Sequence, residues 1–164
     1  MRSRHWFFAV GLLLYIGGIG FVIAGARTAR RAPAAEAPAS VQTTPVASIK
    51  QIMKGITGPA ANTIFNAVST TVTSKGIEEK APHTDEEWEA VGNAAAALIE
   101  SGNLILLGDR AVDKGEWVKM SRAMIDAGKI SLKATQAKSA DDVLASGEAV
   151  NTSCDTCHLK YKRE

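Results

Sequence analysis

The 164-residue sequence is poor in aromatic residues, in cysteine and in histidine. Phe, Trp and Tyr together make up 5% of the chain, whereas hydrophobic residues of all kinds make up 46% and alanine is abundant. Because strands are enriched in aromatic and β-branched residues, this composition favours packed helices over sheets. At this length the chain fits one compact domain with an appendage.

The sequence also lacks a basic stripe and a recognisable catalytic constellation. The net charge of +2 is unevenly spread, because all five arginines before residue 40 flank the first apolar segment. From residue 40 onward, 14 Lys and Arg residues stand against 16 Asp and Glu residues, so this part is nearly neutral and offers no footprint for nucleic acid. No Ser-His-Asp set, phosphate-binding loop or pair of carboxylates in an apolar context is present, which argues against an enzyme.

The only two cysteines belong to a C-x-x-C-H motif close to the end of the chain. On a helix, Cys154, Cys157 and His158 occupy positions i, i+3 and i+4 and share one face. This arrangement suits covalent attachment of a c-type haem, in which the two thiols form thioethers with the vinyl groups. The adjacent imidazole is then held beneath the iron as its proximal ligand. The motif therefore predicts one covalently attached haem c.

Three other kinds of site use similar residues. A structural zinc site needs four ligands, of which the motif supplies three, and His5 and His83 are far away in the sequence. A thioredoxin-like redox motif would begin a helix after a strand, and no strand pattern precedes Cys154. A disulfide between residues three apart on one helix would be strained. Zinc is the strongest of these alternatives.

An uncharged apolar segment lies near the start of the chain. Residues 6–26 would span about 32 Å as a helix, at ~1.5 Å per residue. Because this matches the roughly 30 Å hydrocarbon core of a bilayer, residues 1–27 are predicted to form a transmembrane anchor. The alternative is a secretory signal with an A-x-A-like site at residues 24–26, although signal cores usually run only about 7–15 residues. The length of the segment favours an uncleaved anchor.

Two further regions follow the apolar segment. Residues 28–45 are rich in Ala and Pro and show no apolar period, so they are predicted to form a linker. Residues 46–164 show four stripes of apolar residues at helical spacing, separated by short loops. They are predicted to fold as an all-α, antiparallel, up-down-up-down four-helix bundle, preceded by the single apolar helix of the anchor.

The first of these helices is expected to start at Thr44-Pro45, which would supply a cap and a first-turn proline. Gly58-Pro59 is expected to break or kink it, with the stripe resuming beyond. The apolar stripe of this helix consists of Ile49, Ile52, Met53, Ile56, Ile64, Phe65, Val68 and Val72.

Capping signals mark the other three helices. Thr84 with Glu87 predicts a capping box for the second helix, which should end near Gly108. Asp113 with Glu116 repeats that pattern for the third helix, and Ser139 should start the fourth. The apolar stripes include Trp88, Val91, Ala95, Leu98 and Ile99, then Trp117, Met120, Met124 and Ala127, then Val143, Gly147, Val150, Cys154, Cys157 and Tyr161.

This pattern resembles the class II c-type cytochromes, the cytochrome c′ family, over residues 46–164. That family is a four-helix bundle with C-x-x-C-H near the end of its last helix. The motif is commonly followed by an aromatic and a basic residue, as Tyr161 and Lys162 follow it here. The resemblance implies that Cys154 and Cys157 hold the haem and that His158 is the proximal ligand.

The resemblance also points to the first helix, which in this family faces the distal side of the iron. The segment Ile49–Lys54 is similar to the family's first-helix stretch that ends in Met-Lys, and Met53 occupies the matching position. Met53 is therefore the candidate distal ligand. The alternative for Met53 is core packing, because methionine commonly fills gaps, and Met120 and Met124 are expected in the core.

The function implied by the resemblance is that of a monohaem cytochrome, an electron carrier and not an enzyme. It would serve redox partner proteins of a respiratory or photosynthetic chain from a single-pass anchor in the bacterial cytoplasmic membrane, with the bundle in the periplasm. Cleavage of the apolar segment would instead leave a soluble periplasmic protein. Some relatives form homodimers, and the sequence leaves this open. The alternatives are a five-coordinate module that binds nitric oxide or carbon monoxide and a structural zinc or scaffold protein.

Overall fold

The computed structural model describes residues 10–12, 14–15 and 44–162. The chain divides into two compact units, residues 1–42 and 43–164. The predicted anchor at 1–27 and linker at 28–45 lie almost wholly outside the described residues, and 10–12 and 14–15 are helical. None of the helices in the described ranges combines the length and apolar character that crossing a membrane requires.

The described part of the second unit is mostly helical, with one small two-stranded sheet, which confirms the all-α prediction in its coarse form. Packing contacts join α2 to α3, α3 to α4, α4 to α5 and α2 to α5. The elements are α1 (Ile49–Ile52), a π-helical turn (Met53–Thr57), α2 (Gly58–Phe65), β1 (Ser69–Thr73), β2 (Gly76–Lys80), α3 (Asp85–Leu104), a 3-10 turn (Gly108–Arg110), α4 (Glu116–Gln136) and α5 (Ala140–Tyr161).

The first helical segment comprises α1, the π-helical turn and α2. It starts at Ile49, so the predicted start at Thr44-Pro45 is wrong. Ser48 and Gln51 form a capping box that satisfies the first backbone donors of the helix. The Ser48 hydroxyl accepts a hydrogen bond from the Gln51 amide at 3.2 Å, and the Gln51 side chain accepts one from the Ser48 amide at 2.9 Å.

The chain remains helical through Gly58-Pro59. The Gly58 amide donates to the carbonyl of Met53, five residues earlier, so the helix widens for one turn. Pro59 has no amide hydrogen, and in a regular α-helix its ring would clash with the carbonyl four residues earlier. The wider turn accommodates Pro59, which then occupies the first turn of α2. Glycine suits position 58, because an added Cβ would lie 3.0 Å from the Met53 carbonyl oxygen.

A β-hairpin connects α2 to α3, where the sequence predicted helix and loop. Its two strands pair in antiparallel fashion, with Val72 opposite Ile77. The prediction that Val72 continues the buried stripe of the first helix is wrong, since Val72 is 78% exposed. Val72 lies at helical spacing from Ile64 and Val68, which suggested that the helix continues to Val72. The run of Thr and Val in β1 instead forms a strand, because β-branched residues favour strands.

The starts of α3 and α5 agree with the predicted caps. The Thr84 hydroxyl accepts from the Glu87 amide at 3.2 Å, and the Glu87 carboxylate accepts from the Thr84 amide at 3.1 Å. Ser139 caps α5 by accepting from the Asp142 amide at 3.3 Å. The end of α3 comes at Leu104, four residues before the predicted Gly108.

Two apolar clusters form the core of the second unit. The larger joins the first helical segment to α3, α4 and α5, and the smaller lies around Trp88 and Val143. A hydrogen bond of 2.9 Å between the buried hydroxyls of Ser131 and Ser146 links α4 to α5. The predicted stripe positions that are buried are Ile52, Ile64, Val68, Trp88, Val91, Ala95, Leu98, Trp117, Met124, Ala127, Val143 and Val150, whereas Ile56 and Phe65 are each 37% exposed.

Gly102 allows α3 to approach α4 closely, which leads to a prediction on stability. A Cβ built on Gly102 would lie 2.4 Å from Cγ1 of Ile125 on α4. We expect Gly102→Ala to lower the free energy of unfolding by about 1–3 kcal/mol through overpacking. The control is Gly147→Ala, whose Cβ would meet Phe65 at an ordinary 3.7 Å and should stabilise α5 by up to about 1 kcal/mol. Thermal unfolding followed by circular dichroism measures both, and equal effects would contradict the close approach.

Candidate functional site

The C-x-x-C-H motif lies in the last two turns of α5, as the sequence predicted. Cys154 and Cys157 are half-buried and His158 is exposed. Both thiols are free. The motif therefore ends a helix, whereas a thioredoxin-like redox motif would begin one, so that alternative does not fit the structure.

A cleft of about 210 Å³ brings the motif together with the predicted distal ligand. Cys154, Cys157 and His158 line it from α5, and Met53 lines it from the π-helical turn. These residues are about one hundred positions apart in the chain, and the fold gathers them around one space. The rest of the lining is largely apolar and includes Ala61, Phe65, Ile105, Met120 and Met124, with Thr57, Asn62, Ser121 and Ser153 as polar members.

Three methionines thus face the same cleft, which the sequence analysis did not predict. Met120 and Met124 were expected in the core, and Met124 is indeed only 6% exposed and packed in the larger apolar cluster. Met120 is half-buried, as is Met53. The spacing of Met120 and Met124 on α4 did not indicate that both line the cleft. Their place at the cleft depends on how α4 packs against α5 and the first helical segment. Each thioether is a candidate soft ligand for a metal in the cleft.

The environment of the two cysteines disfavours their thiolate forms. Burial raises the pKa of the Cys154 thiol, and the nearby Asp155 carboxylate adds to this shift. Burial also raises the pKa of the Cys157 thiol. Redox-active and nucleophilic cysteines occur in electropositive surroundings that lower the pKa. The arrangement is therefore unlike that of a redox-active cysteine pair.

Trp117 and Tyr161 support the end of α5 beside the motif. Their rings meet edge to face, with centroids 5.1 Å apart and planes at 80°. The indole nitrogen of Trp117 donates to the carbonyl of Ile105 at 3.1 Å, and Trp117 is 3% exposed. Trp117 was predicted as a packing residue, and it also fixes the position of Tyr161, one turn after Cys157.

Asp113 ties this pair to the start of α4. Its Oδ1 accepts hydrogen bonds from the amides of Gly115 at 2.8 Å and Trp117 at 3.1 Å, and its Oδ2 accepts one from the Tyr161 hydroxyl. The predicted capping box of Asp113 with Glu116 is wrong, because α4 starts at Glu116 and Asp113 precedes the cap residue, Gly115. The link to Tyr161 spans 48 residues and left no signal in the sequence.

This link predicts a pH-dependent stability. The hydrogen bond from Tyr161, followed by that from the Trp117 amide, holds the pKa of Asp113 below its ordinary value of 3.8. A carboxyl group whose pKa is lowered by folding stabilises the fold above its unfolded pKa and stops doing so as the pH falls through its folded pKa. We therefore expect Asp113→Ala to be less stable than the wild type at pH 7, with the difference beginning to shrink at about pH 4 and shrinking further as the pH falls through the lowered pKa of Asp113.

Thermal unfolding between pH 2 and pH 7 measures this difference. Tyr161→Phe is the matched control, because it removes one hydrogen-bond donor and leaves both backbone amides that Asp113 accepts from. It should show a smaller pH-dependent loss of stability. A loss in Asp113→Ala that is the same at pH 2 and pH 7 would contradict an electrostatic role of the carboxylate.

One buried polar group in the cleft is unsatisfied. Thr57, at the end of the π-helical turn, is 4% exposed, and its hydroxyl has no hydrogen-bond partner among the residues that the structure describes. A buried hydroxyl without a partner is costly, and such groups in folded proteins call for an explanation.

The donor set of the cleft fits a covalently attached haem. Two thiols, one imidazole and a thioether line one apolar space, and these are the side chains that would attach a haem and ligate its iron. The volume of about 210 Å³ is below the roughly 300–1,000 Å³ of typical cofactor sites. Occupation therefore requires the cleft to widen or the rim of the macrocycle to lie in solvent. Within the described ranges, no three His, Cys, Asp or Glu side chains are grouped to hold a metal ion.

A larger, shallower groove of about 710 Å³ runs between α4 and α5. It is lined by small and aliphatic side chains such as Ala123, Ile130 and Ala149, and by none of the motif's cysteines or its histidine. The groove holds the Asp126 and Glu148 carboxylates and the Met120 thioether, but no thiol or imidazole, so the smaller cleft is the better candidate for chemistry.

Comparison with protein-family models, curated proteins and solved structures finds no match for this chain.

Proposed function

We propose that this protein is a monohaem c-type cytochrome that carries single electrons. The observation that supports this proposal most strongly is the convergence of Met53 with Cys154, Cys157 and His158 on one apolar cleft. A motif of this kind occurs by chance in unrelated proteins, but a thioether ligand facing it across a cleft is a second and independent feature. The two features are independent because Met53 and the motif are about one hundred positions apart in the chain.

In this proposal Cys154 and Cys157 would hold the haem through thioether bonds, and His158 and Met53 would ligate its iron. The haem, when bound, supplies an iron that changes its charge by one electron. The His158 imidazole and the Met53 thioether would keep the coordination of the iron nearly constant, and the apolar lining would limit access of water. The absence of a catalytic constellation in the sequence is consistent with a carrier that is not an enzyme.

We further propose that the four helical segments form an antiparallel up-down-up-down bundle, like that of the class II c-type cytochromes. The support is the packing of α3 on α4 and of α4 on α5 through short connections, with the first helical segment contacting α3 and α5. Residues 46–164 would constitute this haem domain. The β-hairpin is an addition in the connection between α2 and α3 that the family resemblance does not account for.

The proposed location is the periplasmic face of a bacterial cytoplasmic membrane. Residues 1–27 would be the single-pass anchor and residues 28–45 the linker, and the support is the uncharged run of residues 6–26. The partners would be redox proteins of a respiratory or photosynthetic chain. Cleavage after the apolar segment would give a soluble periplasmic carrier with the same site.

A gas-binding module is the alternative function, and the packing of Met53 against the larger apolar cluster favours it. If Met53 only packs near the iron, the distal side is open to carbon monoxide or nitric oxide. The chemistry of the attachment would be identical in both cases. The two functions therefore differ in the role of a single thioether.

The test is a visible spectrum of the full chain, produced together with a cytochrome c maturation system. We expect covalent haem on a denaturing gel, a thioether-to-iron charge-transfer band in the oxidised protein, and a reduced spectrum that does not change with carbon monoxide. A shift on adding carbon monoxide, with no such band, would replace the carrier by the gas-binding module. A chain without covalent haem would overturn both and leave the zinc or scaffold alternatives.

A further inference from the structure

The unpartnered hydroxyl of Thr57 lies close in sequence to the proposed distal ligand. Met53 and Thr57 are the first and last residues of the π-helical turn, and both line the cleft. Thr57 is 4% exposed, so its hydroxyl cannot be satisfied by bulk solvent. Thr57 therefore lines the cleft with a buried hydroxyl that no other described group of the protein bonds.

Local backbone acceptors do not satisfy this hydroxyl. Thr and Ser side chains in a helix ordinarily bond the carbonyl three or four residues earlier, as Ser101, Ser121 and Thr63 do in this structure. The Thr57 hydroxyl makes no such bond, to the carbonyl of Met53 four residues earlier or to any other acceptor among the described residues. At the end of the π-helical turn, the Thr57 hydroxyl is therefore left without a backbone acceptor.

We propose that Thr57 is a positioning residue for the distal ligand, whose hydroxyl donates a hydrogen bond to the sulfur of Met53 when that sulfur binds the iron. This inference rests on the proposed function. A thioether sulfur keeps a lone pair when it ligates a metal, and it accepts hydrogen bonds weakly. Hydrogen bonding around a ligand is one of the levers by which a protein sets a reduction potential.

The direction of the effect follows from the chemistry of the sulfur. A hydrogen bond to the thioether withdraws electron density from it, so the sulfur donates less to the iron. Weaker donation favours the reduced iron over the oxidised iron, which carries one more positive charge. Thr57 therefore raises the reduction potential of the carrier.

The experiment compares Thr57→Val with Thr57→Ser in the haem-loaded full chain. Val has nearly the same shape as Thr but no hydroxyl, whereas Ser keeps the hydroxyl and loses a methyl group. We expect Thr57→Val to keep its thioether-to-iron band and to lower the ratio of reduced to oxidised protein at a fixed potential by up to about tenfold, which corresponds to 59 mV for one electron. Thr57→Ser should stay near the wild-type potential.

Three results would overturn the inference. An unchanged potential in Thr57→Val, in a wild type that carries haem and the thioether band, overturns the role of Thr57 and leaves the proposed function intact. Equal shifts in both variants would assign the effect to packing rather than to the hydroxyl. A wild-type chain with no haem or no thioether band would overturn the proposed carrier function itself, and the role of Thr57 with it.

Discussion

Replacing both cysteines, in Cys154→Ala/Cys157→Ala, is expected to abolish covalent haem attachment completely. The two thiols are the only ones in the chain, so no other side chain can form the thioether bonds. The helix that carries them should survive, because it is anchored by groups that the substitutions leave in place. Those groups are the Ser139 cap and the buried Val143 and Val150.

The measurement is a haem stain of a denaturing gel, with circular dichroism to follow the helices. The single variant Cys154→Ala is the matched control, because it leaves one thioether bond and should still give a stained, if less stable, product. The zinc alternative predicts a different result for the wild type. If the motif binds zinc, neither the wild type nor the double variant stains for haem. Covalent haem in the double variant would show that the motif is not the attachment site.

Replacing Met53 by leucine is expected to convert the carrier into a gas-binding protein. Leucine keeps the volume and apolar character of methionine, so the fold should lose less than about 1.5 kcal/mol of stability. Without the sulfur, the iron should become high-spin when oxidised and bind carbon monoxide readily when reduced. The potential should fall by on the order of 0.1 V or more, because axial ligands set haem potentials over a range of about 0.8 V.

Met120 and Met124 provide the controls that this prediction needs. Both line the same cleft, so Met120→Leu and Met124→Leu make the same chemical change in the same surroundings. We expect both to keep the thioether-to-iron band and to remain unreactive to carbon monoxide. If one of them loses the band and Met53→Leu keeps it, the distal ligand is on α4. If all three keep a gas-reactive spectrum identical to the wild type, no methionine is a ligand.

The helices and the position of the C-x-x-C-H motif at the end of the last helix could be predicted because their signals are local. The capping box of Thr84 and Glu87, the cap at Ser139 and the apolar stripes of α3 to α5 all act within one or two helical turns. The motif is equally local, since three residues within five positions define it. These are the features for which sequence spacing and structure are directly related.

The features that the sequence did not predict depend on contacts between distant residues, or on segments whose residues favour both helix and strand. The hairpin was missed because Val72 matched a helical stripe, although its neighbours favoured a strand. The contact between Asp113 and Tyr161 joins the start of α4 to the end of α5 and has no counterpart in the sequence pattern. The position of Met120 at the cleft likewise follows from helix packing, which spacing along one helix does not determine.

The π-helical turn has a consequence for the angular phase of the first helical segment. Successive residues of an α-helix are about 100° apart around its axis, so Ile52 and Ile64 would face directions about 120° apart in a regular helix. One residue absorbed by the wider turn reduces this difference to about 20°, and both side chains are in fact only 2% exposed. Met53 and Ala61 are brought from about 80° to about 20° apart in the same way, and both line the cleft. The number of residues between Met53 and Ala61 therefore determines the site as strictly as their identities do.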